Sequence, residues 1–264
     1  MALFVGFGLP TSATGGTASP GSKIVQDFTS NGTWTKCSDA VYVEVISIGG
    51  GGGGGNGING SYAINGAVVL GGAGGGGGGI SQQTFAACSV DSTACVIVGQ
   101  GGAPSSAQAG SGGASRWCTA SGCDVYAGGG KGGYGGADLY PTYGPYPSPS
   151  YPNGGSKCEG GAGSYADGND GGQAWYRCYP FTLNALSPTN CSNPYTTRAG
   201  GGGGSFMYPS SAGTASASST PRTVCGIDLT DIGRGGQGGN SRITSGATNG
   251  TVGVRGLVRV IQYF

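Results

Sequence analysis

The sequence predicts a mostly β fold with irregular, polyglycine II-like glycine-rich segments: short antiparallel strands, little or no helix, and hairpins tied by disulfides. Three observations predict it. Glycine supplies 63 of the 264 residues and is gathered in blocks, among them Gly49–Gly55 and the run GGAGGGGGG over Gly71–Gly79. Short apolar stretches with strand-like alternation lie between the blocks. Nine cysteines occur with no histidine and no Cys-x-x-Cys spacing, so the common zinc patterns fail and a disulfide set is the better reading.

Disorder is the first alternative that such a composition raises. Leu, Ile, Val and Phe make up only about 16% of the chain, below the ~20% of an ordinary core. Charge argues the other way, because 12 basic and 11 acidic residues give neither the net charge nor the charge density that keeps a disordered chain solvated. Glycine without side chains can instead take the extended three-residue helix, rising ~3.1 Å per residue, whose N–H and C=O groups must all pair with neighbouring chains. Packed glycine helices would then replace the missing aliphatic core with peptide hydrogen bonds and Cα–H···O contacts. Flexible glycine linkers usually carry serine and join domains that fold alone, and the short strands here cannot do so.

The elements follow in order. The start, MALFVGFGLP, has a short apolar stretch and no basic n-region, a poor signal peptide and too short a span for a bilayer. Residues 1–23 are read as an N-terminal arm for attachment or oligomer contact, and 24–264 as a single glycine-rich β domain. In KIVQDFTSNGTWTKC a turn at Asn31-Gly32 separates two β-rich halves; Val41, Val43 and Val45 then alternate with Tyr42, Glu44 and Ile46 in the strand before the first glycine block. The closing strand alternates Leu257, Arg259 and Ile261 with Val258, Val260 and Gln262, so the two ends frame the glycine-rich middle.

Cysteine symmetry predicts two hairpins. A turn at Asp91-Ser92 would set Cys88 opposite Cys95, and one at Ala120-Ser121 would set Cys118 opposite Cys123. Opposed residues of antiparallel strands lie ~4.5–5.5 Å apart at Cα, within disulfide range. A third pair, Cys178 with Cys191, would tie off a surface loop; Cys37, Cys158 and Cys225 are left without an assigned pairing. Two aromatic loops, at about 137–152 and 173–198, sit between glycine segments. Tyr140, Tyr143, Tyr146 and Tyr151 in the first and Trp175, Tyr176 and Tyr179 in the second are candidate receptor-binding residues, since Tyr and Trp give stiff contact area at low entropy cost. The same rings would also serve simply to cover the edges of a glycine lattice.

The stretch FTSNGTWTKCSDAVYVEVISIGGGGGGG, Phe28–Gly55, resembles the opening of glycine-rich bacteriophage structural proteins, and GLVRVIQYF after the cluster GRGGQGG resembles their last strand. Cys37 stands where that family usually has proline. The resemblance implies a virion protein of the tail-fibre or appendage kind, adhesin-like, whose aromatic loops between glycine helices touch the bacterial surface. Its implied partners are other virion proteins, further copies of itself with a trimer favoured, and a host surface glycan or outer-surface protein. An oxidised protein without an export signal also fits assembly into a particle that leaves the cell by lysis.

Other chemistries fare worse. The Gly-x-Gly-x-x-Gly spacing is unavoidable with this much glycine, and no helix pattern or P-loop Lys-Ser/Thr follows it. Asp167, Asn169 and Asp170 resemble a calcium turn but lack the repetition or distal Glu of such sites. With no histidine as general base and no spaced carboxylate pair in context, the expectation is no enzyme, no cofactor and no metal. No Lys/Arg cluster exists to attract nucleic acid or anionic membrane, and no membrane insertion is expected. The alternatives to an exposed phage appendage are an architectural neck or capsid decoration and an exported matrix or ice-binding protein.

Overall fold

The structure is a computed structural model that describes residues 21–59, 68–122, 124–139, 223–224, 227–228, 232–239 and 246–264. Its twelve described strands are β1 (Lys23–Phe28), β2 (Gly32–Thr35), β3 (Tyr42–Ile48), β4 (Val68–Leu70), β5 (Ile80–Ala86), β6 (Thr93–Ile97), β7 (Ser115–Cys118), β8 (Asp124–Ala127), β9 (Ala137–Leu139), β10 (Thr223–Val224), β11 (Ile227–Asp228) and β12 (Leu257–Tyr263). Two antiparallel four-stranded sheets run in the orders β1-β12-β3-β5 and β2-β6-β7-β8. The only helical element among the described residues is one 3-10 turn at Ala87–Ser89. The mostly β class is as expected from sequence, and β1 and β12, which flank the glycine-rich middle, prove to be neighbours in one sheet.

The sheets face each other over a small core. Val43, Val45, Val258 and Val260 from the first sheet meet Trp34, Val96, Trp117 and Val125 from the second. Trp34 and Trp117 meet edge to face with ring centroids 5.5 Å apart, and Phe85 stacks on Trp117 at 5.6 Å. Large rings let few side chains fill the gap between sheets. A second cluster, Ile46, Ile48, Ile80 and Leu257 with Ile232 packed against it, caps the other side of the first sheet.

Six of the core strands adjoin glycine segments, and these together with residues 233–239 form a bundle of seven parallel and antiparallel backbones. Residues 49–57, continuing β3, lie in the centre. Every amide from Gly49 to Gly57 donates, at 2.8–3.0 Å, and the acceptors rotate with period three. Gly49, Gly52 and Gly55 donate to Gly79, Gly76 and Ala73; Gly50 and Gly53 to Gly113 and Gly110; Gly51, Gly54 and Gly57 to Val254, Thr251 and Thr248. These three neighbours run antiparallel to the centre. Three parallel neighbours return the bonds: the amides of Gly130 and Gly133 donate to Gly50 and Gly53, those of Gly236 and Gly239 to Gly52 and Gly55, and that of Gly102 to Gly51. The six are also bonded to one another in the ring order 71–79, 128–136, 109–114, 99–103, 248–256, 233–239. Direction therefore alternates around the centre. This is polyglycine II packing, with the three-residue period of that helix.

Glycine is used here for close approach. Positive φ occurs in the bundle only at Gly233, so the remaining described bundle glycines have backbone angles that other residues also adopt. A Cβ at Gly52 would instead fall on the carbonyl of Lys131 and 2.8 Å from the amide nitrogen of Gly132. In the parallel neighbours two residues in three point at other backbones, which gives the readings Lys131-Gly-Gly-Tyr134-Gly-Gly and Arg234-Gly-Gly-Gln237-Gly-Gly. The antiparallel 248–256 needs glycine only where it faces the centre, at Gly250, Gly253 and Gly256.

Three expectations are corrected. The halves around Asn31-Gly32 do not pair: β1 joins β12 and β2 joins β6, so the chain crosses between sheets there. The Cys88–Cys95 hairpin does not form, because β5 pairs with β3 and β6 with β2 and β7; both thiols are free and exposed. The β7–β8 hairpin exists, but the residue opposite Cys118 is Asp124, and the Cys118 thiol is free. Cys123, Cys178 and Cys191 lie outside the described residues, as do Cys158 and Cys225.

Gly52→Val is expected to abolish folding, since neither the added side chain nor the facing backbone can move without breaking several hydrogen bonds. Gly32→Ala should change stability by less than about 1 kcal/mol, because a Cβ there meets only the Phe28 ring at 3.3 Å. Circular dichroism and thermal melts of both variants check the pair of outcomes. Hydrogen exchange should find the amides of residues 49–55 protected up to global unfolding.

Candidate functional site

The bundle has two unlike ends. At one end its segments join the sandwich, and at the other, the tip, the chain reverses. Residues 103–109 make a turn there, and residues 57–59 and 246–248 lie at the same end. Small polar side chains take up amides left over by the bundle: Gly250 N donates to Asn56 Oδ1 at 2.9 Å, Ala247 N to Asn59 Oδ1 at 2.9 Å, and Gln237 N to Thr251 Oγ1 at 2.7 Å. Buried backbone groups need such partners where the regular pattern stops.

Beyond the tip, β4 and β9 prolong the pairing of 71–79 with 128–136, with Val68 opposite Leu139 and Leu70 opposite Ala137. The predicted loop at 137–152 thus begins as a strand that leaves from the tip. Tyr140, Tyr143, Tyr146, Tyr151, Trp175, Tyr176 and Tyr179 lie outside the described residues. The chain re-enters the bundle at the sandwich end, where Ile232 packs on the cluster under the first sheet.

The outer segments 128–136 and 233–239 carry side chains at single positions three residues apart, and 248–256 carries them at two positions in three. Tyr134 is 42% exposed and Val252 58% exposed, each an isolated ring or branch on a peptide surface. A spacing of three on a three-residue helix places such groups in one row. Among the described residues no group of three or more His, Cys, Asp or Glu side chains is placed to hold a metal ion.

A sequence profile described as a glycine-rich domain matches residues 26–263, which takes in every segment of the bundle and both sheets apart from the first three residues of β1. The chain belongs to the glycine-rich domain family. No curated protein matches it. Within this glycine-rich domain no described helix is long and apolar enough to cross a membrane.

Sequence reasoning missed one group of reactive and charged side chains, on the outward face of the second sheet. Arg116 Nε and Nη2 grip Asp124 at 2.9 and 2.6 Å, diagonally across β7 and β8. Cys118 lies beside that pair, and Cys95 lies opposite Cys118. Burial pushes the Cys118 thiol up, and the neighbouring Arg116 works against that shift. The residues are scattered over three strands, and only the β6–β7 register, which no local turn reveals, brings them together. The hydrogen bond from Ser121 N to Asp91, 2.7 Å, ties the β7–β8 turn of the glycine-rich domain to the start of β6 and holds the Asp91 carboxyl below its ordinary value.

Because the folded pKa of Asp91 is lowered, its contribution is present above the unfolded carboxylate value and is lost as pH falls through the folded one. Asp91→Asn should therefore flatten the acid limb of the stability curve; identical acid limbs would show that the link carries no weight. An eight-residue insertion between Ser106 and Ala107, at the tip, should leave the melting temperature nearly unchanged. The same insertion between Gly101 and Gly102 should prevent folding, as far-ultraviolet circular dichroism would report.

Proposed function

We propose that this glycine-rich domain is a non-enzymatic structural protein of a bacteriophage virion, part of an exposed fibre, spike or appendage, whose Tyr/Trp loops contact the host surface. The observation that carries the reading is the exit of β9 from the tip of the bundle into the segment that bears Tyr140, Tyr143, Tyr146 and Tyr151. A backbone-bonded bundle is a stiff mount, and loops on a stiff mount bind with less ordering cost than loops on a mobile one. The resemblance of both chain ends to phage structural proteins supports the virion assignment. On this reading the partners are other virion proteins, further copies of the chain in a trimer, and a glycan or protein of the host surface.

Mass spectrometry of purified virions should recover the chain, and its absence there would sink the virion reading in favour of an exported matrix or ice-binding protein. Alanine replacement of Tyr143, Tyr146, Trp175 and Tyr179 together should lower the adsorption rate at least tenfold while particle yield stays the same. Normal adsorption by intact particles would leave an architectural neck or capsid role.

A further inference from the structure

Cys95 and Cys118 are direct cross-strand partners in the β6–β7 ladder. They belong to one row across the second sheet, Thr33, Cys95, Cys118 and Asp124. Directly opposed side chains of antiparallel strands point to the same face, and here it is the outward one: Thr33, Cys95 and Asp124 are exposed and Cys118 is half-buried. Opposed Cα atoms stand ~4.5–5.5 Å apart, inside the ~4.4–6.8 Å span that a disulfide bridges. Both thiols are free in this structure.

We propose that Cys95 and Cys118 form a cross-strand disulfide, a redox site on the outer face of the second sheet. The chain between them is not a simple turn. It runs up the bundle as residues 99–103, reverses at the tip through 104–108, and returns as 109–114, so the bond closes the base of a loop that holds two of the six outer bundle segments. Its ends are already aligned by Val96 opposite Trp117 and Ile97 opposite Arg116, and closure needs no change of strand register.

The oxidant is a low-molecular-weight disulfide. The exposed Cys95 thiolate attacks one of its sulfurs, forming a mixed disulfide and releasing one thiolate. The Cys118 thiolate then attacks the Cys95 sulfur and displaces the second. The two electrons lost by the protein thiols reduce the small disulfide to two thiols, which carry the two protons. Attack in this order uses the exposed sulfur first and leaves the half-buried one to resolve the intermediate within the sheet.

The full-length protein should be exposed to oxidised glutathione, denatured and alkylated without reduction, then cleaved before Asp91 and Asp124 and after Arg116. That digestion places Cys95 on residues 91–116, with no other cysteine, and Cys118 on 117–123 together with Cys123. The expected product is the linked peptide pair, present in Cys123→Ser and absent in Cys95→Ser and Cys118→Ser. Oxidation should raise the melting temperature by about 5–10 °C, and the rise should vanish in Cys95→Ser and in Cys118→Ser, both of which keep the circular dichroism of the reduced protein. Cys95 recovered alkylated after other thiols have been consumed would overturn the proposal. So would a linked pair that survives Cys118→Ser, which would place the bond at Cys123.

Discussion

Nine consecutive amides, Gly49 to Gly57, are each bonded to another backbone, and no described part of the bundle can be placed without reference to them. A helix with three residues per turn and no internal hydrogen bonds directs its donors along three lines and its acceptors along three others. Antiparallel neighbours take the donors and parallel neighbours supply the rest, so six surrounding backbones satisfy one central backbone. The central run Gly49–Gly55 must then be glycine at every position, because each Cβ would fall on a carbonyl. An individual peptide hydrogen bond contributes only ~0.5–1.5 kcal/mol net, but leaving one of these buried groups unpaired costs ~1–3 kcal/mol. Cooperation among segments distant in sequence follows from that asymmetry.

The sandwich and the bundle are two uses of the same chains. β3, β6 and β8 end, and their antiparallel partners β5, β7 and β12 begin, at the glycine segments, where side chains are dropped from the positions that meet other backbones. The period changes from two to three at that point, since a pleated strand turns by half a circle per residue and the glycine helix by a third. Trp34, Trp117 and the valines set the spacing and order of the strands at the base. The bundle inherits that order: β6, β7 and β8 become three successive members of the ring, while β3 becomes its centre. The side-chain core is small because it has only to align the backbones that complete the fold.

Much of this was legible in the residues. The alternation in Val41–Ile46, the closing strand, and the poverty of aliphatics together called for glycine in the core. The Cys88–Cys95 hairpin was misread because cysteine symmetry is local evidence, and long-range pairing outweighed it; the β7–β8 hairpin formed one residue out of the expected register. Ala87 donates its amide to Val41 O, which holds the end of β5 against the first sheet just where a turn at Asp91-Ser92 would have carried it back along β6. Cys95 consequently faces Cys118 within the β6–β7 ladder of the second sheet. The three-residue spacing of Lys131 from Tyr134, and of Arg234 from Gln237, was not read as a repeat from the sequence. Its meaning, which positions face a backbone and which face outward, depends on strand direction and became readable only with the neighbours in place. The aromatic segments offered composition but no periodicity, so nothing in them located their rings relative to one another.

The rotation of partners around residues 49–57 also limits how such a chain can change length. One residue added inside a glycine segment would turn everything beyond it by a third of a circle, swapping donors for the wrong neighbours and aiming outward side chains at backbones. Three residues added would restore the phase but lengthen one member of a seven-membered bundle, leaving an unmatched turn at the tip. Length variation in these segments is therefore quantised in triplets and shared among neighbours. Between Pro104 and Gln108, where the bundle ends, no such arithmetic applies.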